Sequence, residues 1–217
     1  MNAQSSGLDR PLRLAVALSG GGRTLLNLLR QSSPSYEVVG VIASSPNCGG
    51  VQIAEEYDLP VFIGDFRPKV QVEMNEKLAE QLAKWGIDWI VLAGFLKPFP
   101  IVNGWRDRIV NIHPALLPRY GGKGMYGHHV HEKVLAAGES VSGATVHFVN
   151  ELYDEGHIIA QVEVDIAGLS TAEEIAAAVF EAECDLYPKV MVRLFQGTLP
   201  QPDGKPWRYR FKSMQSN

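Results

Sequence analysis

The chain has 217 residues, a formal net charge of -4 and a hydrophobic fraction of 46%, the composition of an ordinary globular protein large enough to bury a core. The negative balance argues against general affinity for nucleic acid or an anionic membrane surface, although a local basic pocket can still take a phosphate. No apolar stretch is long enough to span a bilayer, and Cys48 and Cys184 lack metal-site spacing, so they read as reduced thiols of a cytoplasmic chain.

Residues 1–10 are polar, without the apolar centre of a signal peptide, and read as a short flexible tail. An apolar run at 12–18 stops at Ser19-Gly20-Gly21-Gly22, and a helical pattern follows with Leu25, Leu28 and Leu29 on one face. A second buried strand at 38–43 ends in the loop 44–50, rich in turn formers. A short helix at 51–57, a strand at 61–63, and a helix at 69–85 that buries Leu78, Leu82 and Trp85 come next, the last ended by Gly86. A strand at 89–93 is closed by Gly94. Strands apolar throughout, alternating with amphipathic helices, predict a doubly wound α/β fold: a mostly parallel open sheet with helices on both faces.

The second half changes character. A short strand at 109–112 ends in His113-Pro114, and a glycine-rich loop leads to a short helix at 130–137. Segments 142–149 and 158–164 form an antiparallel strand pair joined by 150–157. A last helix spans 171–195, with Ile175, Val179, Ala182, Leu186 and Val190 toward the core and a kink at Pro188. Trp85, Trp89 and Tyr187-Pro188 are assigned to packing. With no repeat and no linker-like stretch, residues 11–200 read as one domain and 201–217 as an extension.

Ligands of an open parallel sheet bind beyond the carboxyl ends of its strands, and three features fall there. The first is the loop Ser19-Gly20-Gly21-Gly22-Arg23-Thr24. Its glycines and the amides of the following helix suit a phosphate, although a tight strand-to-helix turn without ligand fits equally. The spacing matches neither the dinucleotide fingerprint nor the lysine-containing P-loop. The second is Asn111-Ile112-His113-Pro114. Strand alternation puts Asn111 and His113 on one side and Ile112 on the other, and Pro114 and Pro118 hold the residues before them extended. An amide donor beside an imidazole suits a carbonyl that becomes tetrahedral; the alternative is an Asn and a His satisfied by backbone groups. The third is Asp154, which is either a partner for an imidazole or part of a solvated acidic loop. Spacing alone does not join it to His113.

In this order the features resemble the folate-dependent formyltransferase family, over about residues 12–197. The most specific segments are Val110-Asn111-Ile112-His113-Pro114 with Leu116-Leu117-Pro118, Gly143-Ala144-Thr145-Val146-His147-Phe148-Val149, and Asp154-Glu155-Gly156-His157-Ile158-Ile159. The resemblance implies a catalytic triad of Asn111, His113 and Asp154. It implies a ribonucleotide site on Gly22, Arg23, Thr24 and Glu183. It also implies a folate site on Phe95, Leu96 and Lys97, with Val149, Asn150 and Glu151 as a second wall. The implied reaction moves a formyl group from 10-formyltetrahydrofolate to the amine of glycinamide ribonucleotide in purine biosynthesis, without a metal, in a monomer or homodimer whose partners are small molecules. Many relatives carry Ser and Asn where this chain has Arg23 and Thr24, which alters the side-chain contacts to phosphate. The stretch 120–127 is longer than in some members and reads as either a ligand-ordered lid or a passive loop. His128, His129 and His131 read as a solvated helix start rather than a metal site.

Two other readings compete. A hydrolase that passes the formyl group to water shares the triad but usually carries an added N-terminal domain. A nucleotide-binding module of the same fold does not need the three residues together.

Overall fold

The computed structural model describes residues 9–31, 33–102, 104–199 and 205–212. The expected tail therefore lies almost wholly outside the described residues, as does much of the extension. The chain groups into two compact units, one running to Asn111 and including Met191–Thr198, the other made of Ile112–Val190 and the residues from Leu199 on.

The first unit is built around β1 (Leu12–Leu18), which pairs in parallel with β2 (Tyr36–Ala43) on one side and β4 (Trp89–Leu92) on the other. A strand in this position is covered on both faces, which is why Leu14 through Leu18 are all fully buried. β3 (Val61–Ile63) adds in parallel to β2, and β5 (Ile109–His113) to β4. The crossovers are α1 (Arg23–Arg30), α2 (Gly49–Glu56) and α3 (Gln71–Trp85), the last entered through a 3-10 turn at Pro68–Val70. Met74, Leu78 and Leu82 recur every fourth residue on the buried face of α3, and Gly86 closes it in the left-handed region at φ 57°.

In the second unit β6 (Val141–Phe148) and β7 (Ile158–Asp165) form the expected antiparallel pair. α4 (His128–Ala136) precedes β6, and α5 (Ala172–Phe195) follows β7 and continues through Pro188. β8 (Trp207–Arg210) lies in the segment read as an extension and pairs in parallel with β7. The Tyr209 hydroxyl donates to Asp185 at 2.6 Å and fixes β8 against α5. The eight strands run in the order β3-β2-β1-β4-β5-β6-β7-β8.

Two helices begin earlier than their apolar pattern. α2 starts at Gly49, and its glycines pack on the end of β1 and the loop after it: a Cβ on Gly50 would lie 2.3 Å from Leu18 Cδ2 and one on Gly49 3.0 Å from Gly21 Cα. α4 starts at His128 because Gly127, at φ 56° and ψ -133°, turns the chain directly into the helix.

Candidate active site

β5 presents its residues alternately, so Asn111 and His113 share one side while Ile112 points to the other. Asn111 is half-buried and His113 is 3% exposed. Both nitrogens of the His113 ring face polar groups. Nε2 lies 2.7 Å from the Tyr120 carbonyl, and a carbonyl only accepts, so Nε2 carries a proton and donates it. Nδ1 then faces Asp154 Oδ2 at 3.5 Å.

Asp154 stands in the left-handed region at φ 58°, a conformation that Asp tolerates better than most side chains. Its Oδ2 accepts the Gly122 amide at 3.0 Å, and its Oδ1 is 3.6 Å from His147 Nε2. His147 in turn donates Nδ1–H to the Phe148 carbonyl at 2.8 Å. Burial pushes the Asp154 carboxyl up, but the His147 contact, the His113 ring and the Gly122 amide outweigh it and hold the carboxyl below its ordinary value. Burial likewise lowers His113, opposed by the Asp154 charge and the Tyr120 carbonyl. The resting pair is thus an ionised carboxylate beside a neutral imidazole. At 3.5 Å the contact becomes favourable when Nδ1 takes up a proton, so Asp154 stabilises an imidazolium as it forms.

The turn after His113 hangs on a buried polar network. Thr145 Oγ1 donates to the Ala115 carbonyl at 2.6 Å and accepts from Leu117 N and from Gln161 Nε2, each at 3.0 Å. Gln161 Nε2 also donates to the Leu117 carbonyl at 2.9 Å. Every member has a partner, which lets a polar cluster sit in the interior without penalty.

In the first unit the expected phosphate loop is organised by Ser19. Its Oγ accepts the Leu96 amide at 3.0 Å and meets Ser44 Oγ at 2.8 Å. Gly22, at φ 78°, starts α1, and no side chain caps the helix. A side chain at Gly22 would lie 2.6 Å from Gly50 Cα. Arg23 is exposed and Thr24 half-buried. In the expected folate loop the Phe95 ring is held edge-on by Phe66 at 4.8 Å and Phe99 at 5.2 Å, while Leu96 is 48% exposed. Lys97 borders a cleft of about 440 Å³ that also takes in Ser44, Ser45, Asp65 and Arg67.

Among the remaining expected residues, Val149 and Asn150 are half-buried and Glu151 is exposed. Asn150 Oδ1 accepts the Leu152 amide at 3.0 Å. Glu183 is buried on α5, where its charge adds to burial in raising the Tyr187 hydroxyl. The histidines at the start of α4 do not all lie in solvent. His128 and His129 are exposed beside Glu132, but His131 is buried because it follows Val130 onto the apolar face of α4. Among the described residues no group of three or more His, Cys, Asp or Glu is placed to hold a metal ion, and no helix is long and apolar enough to cross a membrane.

Sequence reasoning brought forward Asn111, His113 and Asp154 but not His147, Tyr120, Thr145 or Gln161. Thr145 and His147 did leave a signal: they lie two apart on one face of β6, in a run whose neighbours Ala144, Val146 and Phe148 are apolar.

Residues 12–191 match the family model for formyl transferase. The chain is 38% identical to the chloroplastic phosphoribosylglycinamide formyltransferase of Arabidopsis thaliana, over 93% of this chain and 72% of that protein. It is 31% identical to the phosphoribosylglycinamide formyltransferase of Haemophilus influenzae, over 88% and 91%. It spans 14% of the trifunctional purine biosynthetic protein adenosine-3 of Drosophila melanogaster. A solved phosphoribosylglycinamide formyltransferase from Anaplasma phagocytophilum superposes with a TM-score of 0.80 at 30% identity, covering 94% of this chain and 100% of that one. The fold and these similarities agree: the chain belongs to the formyl transferase family, among the phosphoribosylglycinamide formyltransferases.

Proposed function

We propose that this chain transfers the formyl group of 10-formyltetrahydrofolate to the primary amine of glycinamide ribonucleotide, with Asn111, His113 and Asp154 as the reacting groups. The observation that carries the reading is the buried His113–Asp154 pair at 3.5 Å, in a member of this family. The donor supplies an activated formyl carbon. The amine nitrogen forms a bond to that carbon, the bond from carbon to the folate nitrogen breaks, and one proton passes from the amine to the departing nitrogen. Asn111 donates to the oxygen that gains charge as the carbon becomes tetrahedral. His113 accepts the amine proton on Nδ1 and returns it to the leaving nitrogen, while Asp154 stabilises the imidazolium between the two transfers. Gly22, Arg23, Thr24 and Glu183 hold the ribonucleotide. Phe95, Leu96 and Lys97, with Val149, Asn150 and Glu151, take the folate. The apolar surface that Leu96 exposes beside the aromatic cluster fits a flat heterocycle.

The test mixes the purified chain with the formyl donor, with and without glycinamide ribonucleotide, and follows tetrahydrofolate release. Amine-dependent release is expected. Release at the same rate without amine identifies a hydrolase, and no release identifies a binding module. His113→Ala should lower turnover by roughly 10²-fold or more while ribonucleotide binding, measured by calorimetry, persists.

A further inference from the structure

The segment Tyr120-Gly121-Gly122 engages both His113 and Asp154 through its backbone. The Tyr120 carbonyl takes the His113 Nε2–H at 2.7 Å, and the Gly122 N–H donates to Asp154 Oδ2 at 3.0 Å. A Cβ on Gly121, between them, would lie 2.5 Å from Leu117 Cδ2 and 3.2 Å from Asp154 Cβ, so a side chain there would press on Leu117 and on Asp154. Three successive residues therefore wrap the imidazole–carboxylate pair.

Tyr120 holds its carbonyl in place only by standing at φ 57°, a left-handed conformation that is unfavourable for an aromatic residue and persists only where the surroundings enforce it. The enforcing contacts lie on the outer side of the residue. The Tyr120 hydroxyl donates to Glu139 Oε1 at 2.7 Å. Arg119 pairs with the same carboxylate oxygen, reaches the Tyr120 hydroxyl at 3.1 Å, and lays its guanidinium over the Tyr120 ring at 5.2 Å. Glu139 is itself fixed, since it follows the Gly138 turn that closes α4 and leads directly into β6.

We propose that Tyr120-Gly121-Gly122 is a backbone clamp that sets the tautomer of His113 and the orientation of Asp154, and that Glu139 is the positioning residue that locks the clamp. The proposal rests on the reading of His113 and Asp154 as the reacting groups. With the carbonyl at Nε2, the proton of the neutral ring is confined to that atom and Nδ1 keeps the lone pair that proton transfer needs. Without the Glu139 lock, Tyr120 relaxes toward negative φ, its carbonyl leaves Nε2, and the ring redistributes its proton. The first three residues of the glycine-rich stretch are on this account part of a fixed frame and not a lid.

The full chain, labelled with ¹⁵N in its histidines, tests this without substrate, so the result stands apart from the success or failure of the transfer assay. In the parent protein the His113 ring should show the pattern of an Nε2–H tautomer. Glu139→Ala should move it toward a tautomer mixture and lower kcat roughly 10- to 100-fold, with KM for both substrates within about two-fold. Glu139→Gln, which keeps an acceptor for the Tyr120 hydroxyl, should recover most of both. Tyr120→Phe should behave as Glu139→Ala and serves in its place if that variant fails to fold. Unchanged His113 signals in folded Glu139→Ala and Tyr120→Phe would overturn the clamp, as would a loss that Glu139→Gln does not relieve.

Discussion

Asp154 lies between two imidazoles, and the two contacts act on different titrations. Among the influences on His113, the Asp154 charge is the strongest that raises its proton affinity, working against burial. Asp154→Asn keeps the shape and an oxygen for the Gly122 amide but removes that charge. His113 should then titrate lower than in the parent, measured by NMR, and turnover should fall roughly 10²- to 10⁴-fold. An unchanged His113 titration would mean that the pair is not coupled. On the other side, the His147 contact is the strongest influence that lowers the Asp154 carboxyl. His147→Leu should therefore raise the Asp154 carboxyl, followed by ¹³C NMR of the side chain, and shift the loss of activity on acidification to higher pH. An acid limb that superposes on the parent's would remove His147 from the site.

At the scale of elements, β6 and β7 carry the frame behind the chemistry. Thr145→Val is nearly isosteric but leaves Leu117 N and the Ala115 carbonyl without their buried partner, so it should cost about 1–3 kcal/mol in urea unfolding. A change within experimental error would mean that the turn after His113 finds other partners. The elements themselves were mostly legible. β1, β2 and β4 are apolar because both faces are covered, and that pattern needs no tertiary knowledge. β8 was not legible, because Trp207, Arg208, Tyr209 and Arg210 alternate over only four residues and find their place through Asp185 on a distant helix. Asn111 and His113 could be paired from strand period alone. The link from Asp154 to His113 could not, since the β6–β7 hairpin and the backbone of Gly122 bring the carboxylate there. The left-handed backbone of Tyr120 left no trace in a sequence that reads there as a plain glycine-rich loop.

Over the whole molecule, stability should depend on pH through His131. This ring sits on α4 at 5% exposure, its Nδ1 is buried without a hydrogen-bond partner among the described residues, and burial, helped by His128 and His113, lowers it to about 4. The folded state thus favours the neutral ring, whereas the unfolded chain takes a proton near the ordinary value of 6.5. Between those two values the unfolded state binds more protons, so folding stability falls as pH drops from 6.5 toward about 4 and is flat above that window. The full contribution is on the order of 3 kcal/mol, less whatever screening the partial exposure of α4 allows. His113, also lowered by burial, adds in the same direction. Asp154 acts elsewhere: its carboxyl is held below the ordinary value of 3.8, so its share is lost only at still lower pH. Urea unfolding at pH 7.5 and pH 4.5 separates these terms. The parent should lose stability between the two, and His131→Gln, which does not titrate, should lose markedly less, the remainder belonging to His113 and to carboxylates held low in the folded state such as Glu139 and Glu174. An equal loss in both proteins would place the acid sensitivity outside α4.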